Sequence, residues 1–507
     1  MRLNMRARFL LLASLALIVL YGAGSALFGA GSSARVGAEA TRPVVVTIAH
    51  INDVYEIGPV EGGKFGGLAR VATVVSQLRR TNAPMLFMLG GDYLSPSALG
   101  TARIDGEALA GRQMVDVLNA AGLEWATLGN HEFDVSEAAF KSRMAESKFK
   151  IVVSNVTDAQ DRPFANTVRS AIIPVTAGGR TIRIGVIGLV INDTRKAWVK
   201  YLPPIESAKA ALANLTGKVD AIVALTHLSL AGDAALAVSV PEIDVILGGH
   251  EHENWMLRRG PHFTPIIKAD ANVRSIAIVS MAFGAKGSRP TVSARLQLID
   301  STVKSLPAVD ALVKKWTATA FDAFRRDGFT PEMPVVTSTE PLDGRETIIR
   351  NREGRLTEII ANAMQRETGA DLAILNAGSI RIDDVLPAGL ITQYDIIRLL
   401  PFGGNLLRVS MDGALIARVL DTGLNNQGIG GYLHTSGGVT HDGSGWSIGG
   451  VRLDPAKAYV VGLTDYLMTG LEANLGYLTR TSPGVHGVEE KRDIRRAVID
   501  ELQRMYR

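Results

Sequence analysis

The chain has 507 residues, with 54 Lys and Arg against 50 Asp and Glu; a net charge of +4 is small for this length, and no basic run interleaved with aromatics points to nucleic acid. The absence of cysteine excludes disulfides and thiolate chemistry, leaving His, Asp, Asn, Glu and Tyr as the available metal ligands. The length exceeds one ordinary core, so two or more domains are expected.

The first forty residues differ from the rest. Arg2, Arg6 and Arg8 precede a charge-free, Leu- and Ala-rich stretch from Phe9 to Ala34. This is the n-region and h-region of an export signal, with Val36-Gly37-Ala38 as a small-residue cleavage site. The stretch also reaches the roughly twenty apolar residues that span a bilayer. The alternative to a cleaved signal is therefore a retained membrane anchor, the only membrane contact expected. Export without disulfides suits a bacterial periplasm.

Pro43 to Ala49 is a β-branched run leading to His50-Ile51-Asn52-Asp53. Gly66 and Gly67 punctuate, and Leu68 to Leu78 carries apolar residues at helical spacing. Met85 to Leu89 is a second apolar strand ending in Gly90-Gly91-Asp92. Gly111 to Ala121 is helical. Trp125 to Leu128 reads as a buried strand ending in Gly129-Asn130-His131, with Asp134 near enough to orient the imidazole. Further strands are Ile151 to Val153, Ile182 to Leu189, and Val219 to Leu225 ending in Thr226-His227. Ile243 to Leu247, the last clear one of this half, ends in Gly248-Gly249-His250-Glu251-His252.

Alternating strands and helices predict an α/β layered domain. Open α/β sheets place their chemistry at the carboxyl edge. Here five strands deliver metal-type residues to that edge: Asp53, Asp92, Asn130 with His131, His227, and His250 with His252. Carboxylates, an amide oxygen and imidazoles together suit zinc, manganese or iron.

These residues resemble the calcineurin-like binuclear metallophosphatases, whose pattern is D-x-H, GD, GNH, a lone H and GHxH. The resemblance implies a four-layer α/β-β/α fold and two divalent metal ions. Asp92 would bridge them; Asp53 and His252 would complete one site, and Asn130, His227 and His250 the other. His131 would face substrate, with Asp134 holding its ring. One position departs: the family's second ligand is histidine, and here it is Tyr55. Tyr55 as a ligand, a water in its place, a weakened first site and Glu56 reaching in are the alternatives.

From Ser301 to Pro341 the character changes. Pro307 to Phe324 predicts one amphipathic helix ending at Arg325-Arg326-Asp327-Gly328, with Pro331 and Pro334 beyond. The expected organisation is a leader at 1–40, a metallophosphatase domain at 41–300, a helical linker at 301–335 and a smaller α/β nucleotide-binding domain at 336–507. Within the last, Leu356, Ile359, Ile360 and Ala363 stand at helical spacing, and Asp371 to Leu375 is a strand. Leu406 to Ser410 is another, followed by a helix from Ala414 to Leu420 that Gly423 is placed to stop. Gly428 to Gly450 reads as loops and hairpins, and Tyr459 to Leu463 as a strand.

Leu342-Asp343-Gly344 with Arg350 and Glu353, the Asn376 to Arg381 string, and Pro401-Phe402-Gly403-Gly404 resemble the C-terminal domain of the 5′-nucleotidase family, which includes periplasmic UDP-sugar hydrolases. The resemblance implies a nucleotide substrate, with Arg350, Asn376 and Arg381 on ribose and phosphate and Phe402 stacked on the base. Guanidinium forks suit phosphate oxygens. The family's second stacking aromatic follows a GGDG-type string that is missing here, and Tyr477 is its nearest stand-in. Ser379 replaces a family glycine. A hinge in the linker is implied to swing the second domain.

The function expected is exported, metal-dependent hydrolysis of nucleoside 5′-monophosphates. Alternatives within the family are hydrolysis of UDP-sugars or 2′,3′-cyclic nucleotides. The alternative from another class is a nucleotide-binding protein with an impaired metal centre, which Tyr55 alone favours.

Overall fold

The computed structural model describes residues 43–81, 84–177, 179–193, 196–436 and 438–506. The export-signal reading of the leader falls outside these residues. Among the described residues no helix is long and apolar enough to cross a membrane.

The first half is built on two sheets packed face to face. One runs, in spatial order, Thr167–Val168, Lys150–Val152, Trp125–Ala126, Met85–Leu89, Val44–Ile51, Ser275–Phe283 and Thr291–Leu298. The other runs Ser170–Ala177, Arg180–Val190, Ala221–His227, Val245–Gly248, Thr264–Lys268 and Trp255–Arg259. Ile48, Met88, Val152, Ile184, Val223, Leu247 and Val279 fill the space between them. Helices Leu68–Arg79 and Arg112–Ala121 cover the outer face of the first sheet, and Pro204–Ala213 and Leu230–Ser239 that of the second. The result is the four-layer α/β-β/α architecture. Strands buried on both faces read as continuous apolar runs, which is why the central ones were visible in the sequence.

The strands from Val44–Ile51 through Lys150–Val152 pair in parallel, as do those from Arg180–Val190 through Thr264–Lys268. Their carboxyl ends therefore lie along one edge. Several strand readings change, and Ser170–Ala177 joins the second sheet without having been expected. Only Trp125 and Ala126 of the expected run to Leu128 enter the ladder. Four strands follow Val245–Gly248, where none was clear from the sequence; Ser275–Phe283 lies antiparallel to Val44–Ile51, pairing Val44 with Phe283. That register joins segments more than two hundred residues apart, so no local pattern announces it.

The helix Pro307–Arg326 folds back on the first half, where Trp316 Nε1 donates to Asp116 Oδ2 at 2.9 Å. Phe321 meets Tyr394 of the second half with ring centroids 4.7 Å apart. The second half has a five-stranded sheet in the order Leu433–Thr435, Leu372–Asn376, Ala458–Thr464, Asn405–Asp412 and Val485–Asp493. Arg355–Thr368 and Ile494–Met505 pack on one face and Gly413–Asn425 on the other. The helix Gly413–Asn425 runs through Gly423 rather than stopping there. A Cβ at Gly423 would lie 2.6 Å from Leu433, so this glycine serves close packing.

One buried cation braces the second sheet. Lys268 is fully buried; its Nζ donates to the carbonyls of Leu228 and Gly249, both at 2.7 Å, and pairs with Asp233 at 2.9 Å and with Glu251. It thus fixes the chain on either side of His227 and His250. Burial raises the Asp233 carboxyl to about 6 even with Lys268 beside it. Removing one partner of such a pair strands a buried charge. Lys268→Met is expected to destabilise the fold by about 3–5 kcal/mol, read as a lower denaturant midpoint, and Asp233→Asn added to it should recover part of the loss.

Candidate active site

Asp53, Asp92, His250 and His252 lie at or just beyond the carboxyl ends of three strands, and all four have left-handed backbones, with φ of 52°, 57°, 89° and 60°. Non-glycine residues avoid this region, at a cost of order 1–3 kcal/mol each, and such strain gathers at functional sites. The surrounding contacts impose it. Asn52 Nδ2 bridges Asp53 Oδ2 at 2.8 Å and the Ala269 carbonyl at 3.0 Å. The His250 amide donates to Asp53 Oδ2 at 2.9 Å. Glu132, fully buried, accepts the amides of Asp92 at 2.9 Å, Tyr93 at 2.6 Å, Leu94 at 3.0 Å and Gly129. A Cβ at Gly129 would lie 2.1 Å from Asp92 Oδ1, so glycine is required by this close approach rather than by an unusual turn.

The side chains converge. Asp53, Asp92 and His227 are buried and offer ligand atoms within 4.8 Å of one another. His227 Nε2 is 3.1 Å from Asp92 Oδ2 and 3.8 Å from Asp53 Oδ1, while Nδ1 donates to the Gly90 carbonyl at 2.7 Å. Tyr55 points into the same cluster: its hydroxyl is 3.3 Å from Asp53 Oδ1, 3.1 Å from Asp92 Oδ2 and 2.8 Å from His252 Nε2. His252 Nε2 is in turn 3.4 Å from Asp53 Oδ1. These spacings suit neighbouring ligands of one ion with bonds of about 2.0–2.2 Å. Glu56 turns away, accepting from Arg398 Nε at 3.2 Å and Tyr394 at 3.4 Å, so it does not reach in for Tyr55.

The field at the cluster is strongly negative. Burial disfavours charge on His227, yet Asp92 and Asp53 outweigh it and raise the ring to about 9. Burial raises Asp53, but His227 and His252 outweigh that and hold its carboxyl well below the usual range. Burial, then Asp92, push Glu132 up to about 7. Burial and the two aspartates keep the Tyr55 phenol protonated far above its usual range, a logic that a coordinating cation inverts. Among the described residues Asn130 Oδ1 and His227 Nε2 are buried with no hydrogen-bond partner. Buried polar atoms left unpaired are costly; a metal ion would accept the Asn130 oxygen and, taking the place of the imidazole proton, His227 Nε2. The donor set therefore fits divalent metal.

His131 begins a short 3₁₀ turn; its amide donates to Asp92 Oδ1 at 2.9 Å and its Nδ1 meets Asp134 Oδ2 at 2.6 Å. Across the seam, Arg381 Nη2 lies 3.4 Å from His131 Nδ1 and 4.0 Å from Asp134. Arg381 also sits over the Phe402 ring at 6.0 Å and 3.6 Å from Glu346, which binds Arg350 as well. Among the described residues Arg350 Nε and Arg381 Nε are buried donors without partners. Phe402 is exposed. Asn376 bonds Glu472 Oε2 and Ser379 Oγ, each at 2.6 Å.

Tyr477 is not brought to this cleft. It packs against the helix Gly413–Asn425, its hydroxyl bonding Thr422 at 2.8 Å and the Arg418 carbonyl at 3.1 Å, with Arg418 stacked at 3.6 Å. On the loop next to that of Phe402 the exposed aromatic is Tyr466. The Asn405 amide donates to Asp465 Oδ2 at 3.1 Å, tying the Phe402 loop to the Tyr466 loop. Tyr466 is also exposed, and it feels the charges of Glu472, Asp134 and Arg381. The sequence reading missed Tyr466, Glu472, Glu346, Asp383 and Glu132. For Glu132 a signal existed, a carboxylate inside the Gly129 to Asp134 string; the others stand alone among ordinary surface residues.

Residues 46–254 match the calcineurin-like phosphoesterase family and residues 334–475 the C-terminal domain of 5′-nucleotidases. The 5′-nucleotidase of Bos taurus is 24% identical over 455 residues, covering 78% of this chain and 75% of that protein. The 5′-nucleotidase of Vibrio cholerae is 27% identical over 433 residues, covering 74% and 75%. The crystal structure of a 5′-nucleotidase precursor from Thermus thermophilus superposes with a TM-score of 0.73 at 22% identity, covering 91% of this chain and 97% of that one. Both domains, in this order around one carboxylate–imidazole cluster, place the chain in the 5′-nucleotidase family of calcineurin-like metallophosphoesterases.

Proposed function

We propose that the protein hydrolyses nucleoside 5′-monophosphates to nucleoside and phosphate outside the cytoplasm. The observation that carries this reading is Arg381. It reaches from the second domain to His131 and Asp134 beside the carboxylate cluster while lying over Phe402. One side chain thus links the place where a phosphoryl group would react with an exposed aromatic suited to a base. The charge-free leader behind Arg2, Arg6 and Arg8 supports export.

Asp53, Tyr55, Asp92 and His252 would hold one metal ion, and Asp92, Asn130, His227 and His250 the other. The donors suit zinc, manganese or iron. Bound there, two ions would polarise the phosphoryl oxygens and lower the pKa of a water towards neutrality. The remaining work falls to the chain. Asp134, bonded to His131 Nδ1, leaves Nε2 to face the substrate and donate a proton to the departing 5′-oxygen. Arg350 and Arg381 present unpartnered Nε–H groups for phosphate oxygens, with Glu346 neutralising both side chains meanwhile. Phe402 and Tyr466 would hold the base between them, and Asn376 with Glu472 the ribose hydroxyls.

Phosphate release from AMP by protein supplied with manganese or zinc, abolished by EDTA, tests this reading; a chain inactive on every phosphate ester with metal bound would refute it. His131→Ala should retain metal and lower kcat by about 10²–10⁴-fold, whereas Asp92→Ala should lose metal; equal metal loss in both would mean His131 is a ligand. Tyr55→Phe is expected to bind close to one ion per chain where the parent binds two, by elemental analysis. Phe402→Ala or Tyr466→Ala should weaken AMP recognition by about 1–3 kcal/mol, seen in KM, and leave hydrolysis of an ester lacking a base unchanged.

A further inference from the structure

The two halves of the metal cluster are supported differently. At the second position His227 is fixed within its own domain, Nδ1 on the Gly90 carbonyl. At the first position the support crosses the domain seam. His252 directs Nε2 at Tyr55 and Asp53, and its Nδ1 donates to Asp383 Oδ2 of the second domain at 2.6 Å. Asp383 is itself fixed: buried, with φ 38°, its Oδ1 accepts the Glu346 amide at 2.8 Å. Glu346 Oε2 lies 3.7 Å from the same His252 nitrogen.

The strand end that carries Asp53 and Tyr55 is pinned across the seam as well. Glu56, the next residue, accepts from Arg398 and Tyr394. Arg398 Nη2 also reaches Asp384 Oδ2 at 3.4 Å, and Asp384 accepts the Glu61 amide at 3.3 Å. Asp383 and Asp384 therefore hold both chain segments that form the first position, and they belong to the other domain.

We propose that Asp383 is a positioning residue for the first metal position, so that ion affinity there and docking of the second domain are linked. This rests on the metallohydrolase reading above. A carboxylate on the far nitrogen of a ligating histidine fixes its tautomer and ring orientation and strengthens it as a donor. Undocking removes that carboxylate. By linkage, docking that tightens the ion by some factor is itself tightened by the ion by the same factor. At the second position His227 has its Nδ1 on the Gly90 carbonyl of its own domain instead of on such a carboxylate.

The test uses the full chain, stripped of metal and titrated with manganese. The parent should bind in two steps, and Asp383→Asn, which preserves shape, should weaken one of them by about 10–100-fold while leaving the other unchanged. Spin labels on exposed positions of the two domains supply a second measurement that needs no variant at the seam: manganese should increase the docked population of the parent. Unchanged binding in Asp383→Asn, equal weakening of both steps, or docking insensitive to manganese would overturn the proposal. A parent that binds no manganese would instead overturn the metal reading on which it rests.

Discussion

Two buried carboxylates facing each other set the terms for the rest of the molecule. Asp53 and Asp92 offer oxygens within 4.8 Å of one another and are almost wholly shielded from water. Unit like charges at about 4 Å repel by about 4 kcal/mol at an effective dielectric near 20. Glu132 adds a third carboxyl behind Asp92, bound to four amides. His227 and His252 face this concentration of negative charge and hold the Asp53 carboxyl ionised. His227 is drawn towards protonation by the same field. A proton and a metal ion would compete for this one place, and the Tyr55 hydroxyl and His252 Nε2 lie against the same two aspartates.

The second domain answers the same charge from the other side of the cleft. Arg381, Arg350 and Arg398 all lie at or near the seam, each paired with a carboxylate. Arg398 is committed to Glu56 and Asp384 and holds the domains together. Arg350 and Arg381 share Glu346 and keep unpartnered Nε donors. The distinction separates a structural cation from two that can take up an anion. The helix Pro307–Arg326 is anchored on the first half through Trp316 and Asp116, so the chain enters the second domain from a fixed point.

Much of the first domain was legible because its signals are local. A buried parallel strand is an apolar run, and the polar residue just after it stands at the sheet edge whatever the rest of the chain does. Asp53, Asp92, His227 and the pair His250 and His252 carried weight only together, as five strands ending alike, and the parallel ladders align them. Helices such as Leu68–Arg79 and Arg355–Thr368 announced themselves by spacing. The strands from Trp255 to Leu298 did not, because their pairing partners are far away in sequence or their faces are half exposed.

What the amino-acid sequence determined by itself was the layered α/β class, the metal-type donors and the presence of a nucleotide-type second domain. Tertiary structure alone decided which lone residues join them. The sequence singled out Tyr477, yet that side chain is spent on Arg418 and Thr422, while Tyr466 is left exposed. Tyr55 and Glu56 are neighbours, and only packing shows that the first turns to the aspartates and the second to Arg398. Asp383 resembles any loop aspartate until docking sets it 2.6 Å from His252, 131 residues earlier in the chain. The physical reason is common to all three: a side chain's role depends on the charge it is placed against, and that charge is supplied by a segment which local sequence does not contain.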